Sequence, residues 1–344
     1  MEPSTEKVNN SLILMSYTER SSNIEFLRII AMSMIIIGHF LTHAIGRDAL
    51  PHNIYYLLSP YCACGVNLFF LVSGYFQIRL SSRGLFQLIS TLFLFGMINV
   101  LLVYLVAERG ITSQEIFSFI FFPISKSPYW FIQIYFLLVI CSPLINTGIN
   151  SMPVLKFRKF ILIFSFIIVY SCGIGHNMSN SNGYTFLQGV YMYCLANYIR
   201  RDDELIDRVS KIMYLVAFFL LISLGSAGLY FTGILSFTSY NSFINIFASL
   251  SLFIFFTKIK FKSTIVNSIS KASLGCYLLQ DGLFGIKYFY NLCHDFYMSH
   301  AFVMNLVFFL SVFVGTWILS WILSQIFRLM SNNIFSKVVI NFIR

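Results

Sequence analysis

Ten stretches of mostly apolar residues follow one another along this chain with only short loops between them, over approximately 24–45, 57–77, 84–106, 129–146, 159–175, 184–199, 212–234, 241–257, 266–285 and 302–327. About 20 apolar residues are enough for a helix to cross the hydrocarbon core of a bilayer. A backbone placed there must satisfy its own hydrogen bonds, which leaves helices or a closed barrel, and strands of a barrel would be half this length. The expected fold class is therefore all-α, a polytopic helical bundle of about ten transmembrane helices. The sixth and ninth stretches, short and interrupted by Gly, Ser and Asn, come closest to failing the length requirement.

Composition agrees. Only 10% of the 344 residues are charged and 58% are hydrophobic, whereas a soluble domain carries about a quarter charged. The net charge of +10 is a topology signal, and there is no need to invoke nucleic acid. With loops numbered alternately from the N-terminus, 17 of the 23 Lys and Arg fall on the first side and 4 on the other, while Arg28 and Lys271 lie inside spans. Basic residues concentrate in cytoplasmic loops, so this split predicts an even number of spans with both termini cytoplasmic. Residues 1–23 read as a polar cytoplasmic tail, 24–330 as the membrane domain and 331–344 as a second cytoplasmic tail. The loop over 107–128 is the longest external one, and its run Ile116–Ile124 is apolar enough to dip toward the interface. The seven cysteines sit singly in apolar segments without metal-ligand spacing and read as small apolar residues; no metal site is expected.

An ionisable group inside a span is costly and points to function. The first span holds two, Arg28 and His39. Eleven residues turn a helix about three times, so both lie on one face, roughly 16 Å apart along the axis. Glu25, Met32, Ile35 and His43 complete the stripe. Taken alone, Arg28 could snorkel to the interface and His39 could simply bond a neighbouring helix. The second span ends Ser73-Gly74-Tyr75, followed by Arg79 and Arg83, which would share a face if the helix ran on. Guanidinium forks suit phosphates, although loop arginines also serve topology alone.

The segments NIEFLRIIAMSMIIIGHF and VNLFFLVSGYFQIR resemble the start of the acyltransferase-3 family of integral membrane acyltransferases. Arg28 and His39 match its Arg-x10-His motif, and Phe69–Tyr75 its FF-x-x-SGY segment. PYWFIQIYFLLVICSPLIN and SKASLGCYLL resemble two later segments in the same order, so the likeness covers about 25–285. The resemblance implies transfer of an acyl group, usually acetyl from cytoplasmic acetyl-CoA, to a hydroxyl of a bacterial surface polysaccharide or its lipid-linked precursor. It places the chain in the bacterial cytoplasmic membrane, with no permanently bound cofactor. It implies that Arg28 and His39 engage the donor, that Arg79 and Arg83 meet the CoA phosphates, that Ser73 and Tyr75 line the donor channel, and that Trp130 lies toward the outer side.

Chemistry accommodates this picture. Arginines could hold the CoA phosphates while the thin pantetheine arm reaches about 16 Å to His39. His39 would act as general base on the acceptor hydroxyl or as an acyl relay, with direct transfer preferred. One departure stands out: where many relatives carry a His after the late Tyr-Leu pair, this chain reads Tyr277-Leu278-Leu279-Gln280-Asp281. Gln cannot act as a base. Asp281 can, and His43, one turn beyond His39, is a candidate substitute, so His43, Gln280 and Asp281 are assigned to the acceptor side. Many relatives also carry a fused extracellular esterase-like domain. The chain stops at Arg344, so it is expected to finish the transfer within its bundle or to pass the group to a separate partner. The competing functions are a glycan flippase, which would be expected to show internal repeats or paired broken helices, and a polysaccharide polymerase, which would carry a large basic external loop; none of these features is visible.

Overall fold

The computed structural model describes residues 21–46, 52–106, 112–121, 129–174, 182–202 and 206–343. These form helices α1 (Ser22–His39), α2 (His52–Phe76), α3 (Ser82–Val106), α4 (Ser113–Phe121), α5 (Trp130–Ser151), α6 (Val154–Phe166), α7 (Phe186–Arg201), α8 (Lys211–Thr232) and α9 (Phe243–Thr257). They continue with α10 (Thr264–Ile269), α11 (Ser273–Gln280), α12 (Tyr290–Ser299) and α13 (Phe302–Ile343). The described residues contain no strand. Wider π-helical turns extend α1 over Phe40–Ile45, extend α6 over Ile167–Ile174, and precede α12 over Gly285–Phe289. The expected N-terminal tail lies outside the described residues except for positions 21–23, and helix α13 runs on through the segment read as a C-terminal tail.

Among the described residues, seven helices are long and apolar enough to cross a membrane, where ten spans are expected over the whole chain: Ser22–Ile45, Ile54–Phe76, Ser82–Val106, Trp130–Ser151, Lys211–Thr232, Leu235–Thr257 and Phe302–Arg328. The other three stretches are helical too. Helix α6 and its π-helical extension run together over Val154–Ile174, up to the edge of the described residues. Helix α7 has 16 residues, about 24 Å, and ten of them are buried, Gln188 and Asn197 included. A helix enclosed by protein need not be apolar all round, because its polar groups find partners there. The ninth stretch is broken twice, by a tight 3-10 turn at Ser270–Ala272 and by the end of α11 at Gln280.

Helix α2 is the hub, packed against α1, α7, α8 and α9. Two glycines permit this. A Cβ on Gly65 would stand 2.6 Å from the Ala31 carbonyl oxygen of α1, and one on Gly74 would stand 2.2 Å from the Tyr193 carbonyl oxygen of α7. No side chain fits between backbones so close, and association without a water-driven hydrophobic force depends on such contact. Around the hub lies an apolar core that includes Leu27, Ile36, Leu68, Phe70, Tyr193 and Phe253.

Polar contacts gather the helix ends at one pole. The Asn23 amide donates to the Phe256 carbonyl at 2.8 Å, and the Ser263 N–H to the Ser22 hydroxyl at 2.9 Å. The Gln77 amide meets Asn150 at 2.9 Å, and the Lys258 ammonium the Val209 carbonyl at 2.9 Å. Arg201 caps the end of α5 by donating to the carbonyls of Ile149 and Met152, both at 2.6 Å. This pole, where Arg79, Arg200, Lys260 and Lys262 also lie, is the basic end of the bundle. Within the described part of the 107–128 loop, Phe119 of α4 is buried, its ring 5.7 Å from that of Tyr129, while Phe117 is exposed.

Candidate active site

The site begins at the first turns of α1. Glu25 is buried, accepts a hydrogen bond from the Ser270 hydroxyl, and lies 3.6 Å from the Arg28 guanidinium. Arg28 remains partly exposed, although its Nε is buried without a hydrogen-bond partner. It opens onto a cavity of about 300 Å³ between α1, α2, α5 and α11, lined also by Ser73, Tyr135, Lys271, Tyr277 and, at its far end, His39. The eleven-residue spacing thus puts both ionisable groups of α1 in one chamber.

His39 closes α1 where the helix widens into its π-helical turn. Its Nδ1 stands 3.7 Å from an Asp281 carboxylate oxygen, and the two side chains are 19% and 8% exposed. Beyond it a second cavity of about 400 Å³ is lined by Thr42, His43, Tyr55, Tyr184 and Asp281. Five residues line both cavities: Ile35, His39, Val66, Trp130 and Tyr240. His39 is the only one of the five with an imidazole, and it sits at the joint.

The placement of Asp281 follows from how α11 ends. Asn99 of α3, fully buried, donates to the Leu278 carbonyl at 3.1 Å and accepts from the Phe284 N–H at 3.2 Å. The Tyr129 hydroxyl donates to the same Leu278 carbonyl at 2.7 Å. Leu278 lies just past the final helical hydrogen bond, from the Asp281 N–H to the Tyr277 carbonyl, so side chains supply the donors for its own carbonyl. With the break satisfied in this way, the residue just after the helix faces α1. The α10–α11 segment and α1 both start at the basic end and run away from it side by side. Ser270 touches Glu25 near the start and Asp281 faces His39 further on. Lys271 and Asp281 are ten residues apart, about 15 Å, which matches the spacing of Arg28 and His39. Two tiers result, cations at one level and the His–Asp pair at the other.

The remaining predicted residues divide. Ser73 lines the first cavity, its hydroxyl donating to the Phe69 carbonyl at 2.8 Å. Tyr75 does not line it. Two residues turn a helix by about 200°, and Tyr75 instead borders two depressions at the basic end, beside Thr257 and Lys260. Arg79 and Arg83 do not share a helix face, because α2 stops at Phe76, Gln77 takes a left-handed φ of 54°, and α3 starts only at Ser82. Both arginines are exposed and line neither cavity at His39. Trp130 lines both cavities and stacks on Tyr240 at 5.5 Å. His43 borders the second cavity, its ring 5.7 Å from that of His39 and 5.3 Å from that of Tyr290. Gln280 is buried, lines neither cavity, and its amide nitrogen and oxygen have no hydrogen-bond partner. No group of three or more His, Cys, Asp or Glu able to hold a metal occurs among the described residues.

By sequence Lys271 is only a charge within a span, yet it lines the first cavity together with Arg28. Its signal was that same anomaly, an ammonium in an apolar stretch. Tyr135 and Tyr240 carried no comparable mark among 20 tyrosines.

The family model for the acyltransferase-3 domain, described as an acyltransferase domain, matches residues 21–325. No curated protein and no solved structure matches the chain.

Proposed function

The chain belongs to the acyltransferase-3 family, a family of membrane acyltransferases, and from that premise we propose that it moves an acetyl group from acetyl-CoA to a hydroxyl of a surface polysaccharide or its lipid-linked precursor. One observation carries the proposal: His39 lines two cavities at once, one reaching back to Arg28 and Lys271 and the other holding Asp281 and His43. A transferase must bring two substrates to one proton-accepting group, and adjoining cavities with an imidazole at the joint supply that arrangement.

The basic end faces the cytoplasm in this reading, as the loop charges predict. Acetyl-CoA enters the first cavity with its thioester toward His39, and Arg28 holds the polar part of the donor. The acceptor enters the second cavity beside His43 and Asp281. With Nδ1 of His39 turned to the Asp281 carboxylate, Nε2 is the nitrogen left to the substrates. Nε2 takes the hydroxyl proton as the acceptor oxygen attacks the thioester carbonyl. The carbon–sulfur bond then breaks, and the CoA thiolate recovers the proton from the imidazolium. Asp281 stabilises the imidazolium in between, and its present 3.7 Å separation tightens to a hydrogen bond in the loaded state. Two cavities that can be filled together support direct transfer over an acyl-histidine relay, which needs only one occupied at a time.

The test is mass spectrometry of surface glycans from cells expressing wild type or His39→Ala at matched membrane levels. An acetyl-sized increment with wild type alone is the expected result. An increment that persists in His39→Ala removes His39 from the reaction. A glycan that fails to appear or lengthen without the chain replaces acyl transfer with transport or polymerisation.

A further inference from the structure

A third cavity, of about 230 Å³, opens near the basic end between α3, α11 and α13. Its lining is polar for a surface flanked by membrane-spanning helices: Gln87 and Thr91 from α3, and Ser324, Gln325 and Arg328 from α13. The sixth polar group is Lys271, which also lines the cavity holding Arg28 and His39. Leu274, one turn further along, is shared in the same way. The two depressions beside Tyr75 carry more lysines, but they share no residue with the His39 cavity. The third cavity therefore differs from the other basic surfaces in sharing wall residues with the cavity that holds His39.

We propose that this cavity is the phosphate-binding mouth of the donor site, holding the diphosphate part of CoA between Arg328 and Lys271 while the pantetheine arm passes Leu274 toward His39. The assignment rests on acetyl-CoA being the donor. Three features carry it. Arg328 and Lys271 provide two cations, and the Gln325 side chain accepts a hydrogen bond from Arg328, orienting the guanidinium. Gln87 and Ser324 add neutral donors suited to phosphate oxygens, while the Thr91 hydroxyl donates to the Gln87 carbonyl at 2.7 Å. Lys271 stands about 15 Å along the helix from Asp281, so a thin arm anchored at Lys271 extends through the first cavity to the His–Asp tier. Arg79 and Arg83, to which the family resemblance gave this task, line neither cavity.

The same phosphate chemistry is offered by the headgroup of an anionic lipid, and the experiment separates the two sources. The full chain, purified in nanodiscs of neutral lipid, is titrated with acetyl-CoA and with S-acetylpantetheine, which carries the thioester but no phosphate. Arg328→Gln is expected to weaken acetyl-CoA about tenfold relative to S-acetylpantetheine, as loss of one charge-assisted contact should. Arg328 is exposed, so the variant keeps its fold, and Arg328→Glu is expected to give a larger loss in the same direction. If wild type binds acetyl-CoA and both variants bind it equally well, the mouth lies elsewhere and the donor reading stands. If wild type binds no acetyl-CoA, the donor reading itself fails. If the variants keep acetyl-CoA but lose anionic lipid retained in native mass spectra, the cavity holds a lipid phosphate and the assignment is overturned.

Discussion

Replacing Asp281 by Asn keeps the size and shape of the side chain and removes only its charge. The carboxylate oxygen is 3.7 Å from His39 Nδ1, and both groups are largely shielded from water. At an effective dielectric of about 20, unit charges at such a distance attract by about 4 kcal/mol. The attraction counts only while His39 holds the transferred proton, so it lowers the barrier and not the binding energy of the ground state. Four kcal/mol is about a thousandfold in rate, and water reaching the second cavity reduces it, so Asp281→Asn is expected to lose between about tenfold and about a thousandfold in kcat. KM for acetyl-CoA is expected to move less than about threefold, because Asp281 does not line the donor cavity. The assay is release of CoA thiol by purified protein with an acceptor glycan present, at several acetyl-CoA concentrations. Thermal unfolding of the same samples checks that the variant is intact. A variant with wild-type kcat, or one whose whole defect lies in KM, would refute the pairing of Asp281 with His39.

Three further outcomes follow from the packing. Gly74→Ala forces a methyl group to within 2.2 Å of the Tyr193 carbonyl, a backbone atom that cannot swing aside; a loss of about 1–3 kcal/mol or more is expected, read as a lower unfolding temperature in detergent. Trp130→Ala opens the wall common to both cavities, so water should reach the thioester; acetyl-CoA hydrolysis without acceptor is expected to rise while transfer falls, measured by comparing thiol release with acetylated product. At the basic end, the Tyr198 hydroxyl and then the Arg158 guanidinium hold the Asp202 carboxyl below its usual range. A carboxyl depressed in the folded state contributes stability that is complete above the unfolded value of about 4 and is lost as pH falls through the folded one. Asp202→Asn is therefore expected to lower the unfolding temperature at pH 7 and to narrow the gap from wild type as the pH is taken below about 4, read by thermal scans across that range.

The class of the molecule and the polar face of its first helix are legible in residue order alone. Apolar stretches of membrane length leave the backbone no structure but helices among the architectures available, and a helical period places Arg28 and His39 on one face whatever surrounds them. Both line the chamber where the chemistry is proposed, as that local geometry requires. Local geometry could not reveal that α7, read as a span, is a 16-residue helix enclosed by protein, with its polar Gln188 and Asn197 inside the bundle. Nor could it show that α2 ends at Phe76 and the next helix begins only at Ser82, which leaves Arg79 between helices and Arg83 on the second. Asp281 is legible in the sequence as a possible base beside a missing histidine, but not as a partner of His39. Its place opposite His39 depends on Asn99 and Tyr129 satisfying the carbonyls where α11 stops, and on the register between that helix and α1. Periodicity reports what lies on one helix, but a site built between helices depends on where each one ends and what it packs against, and those are properties of the tertiary structure alone.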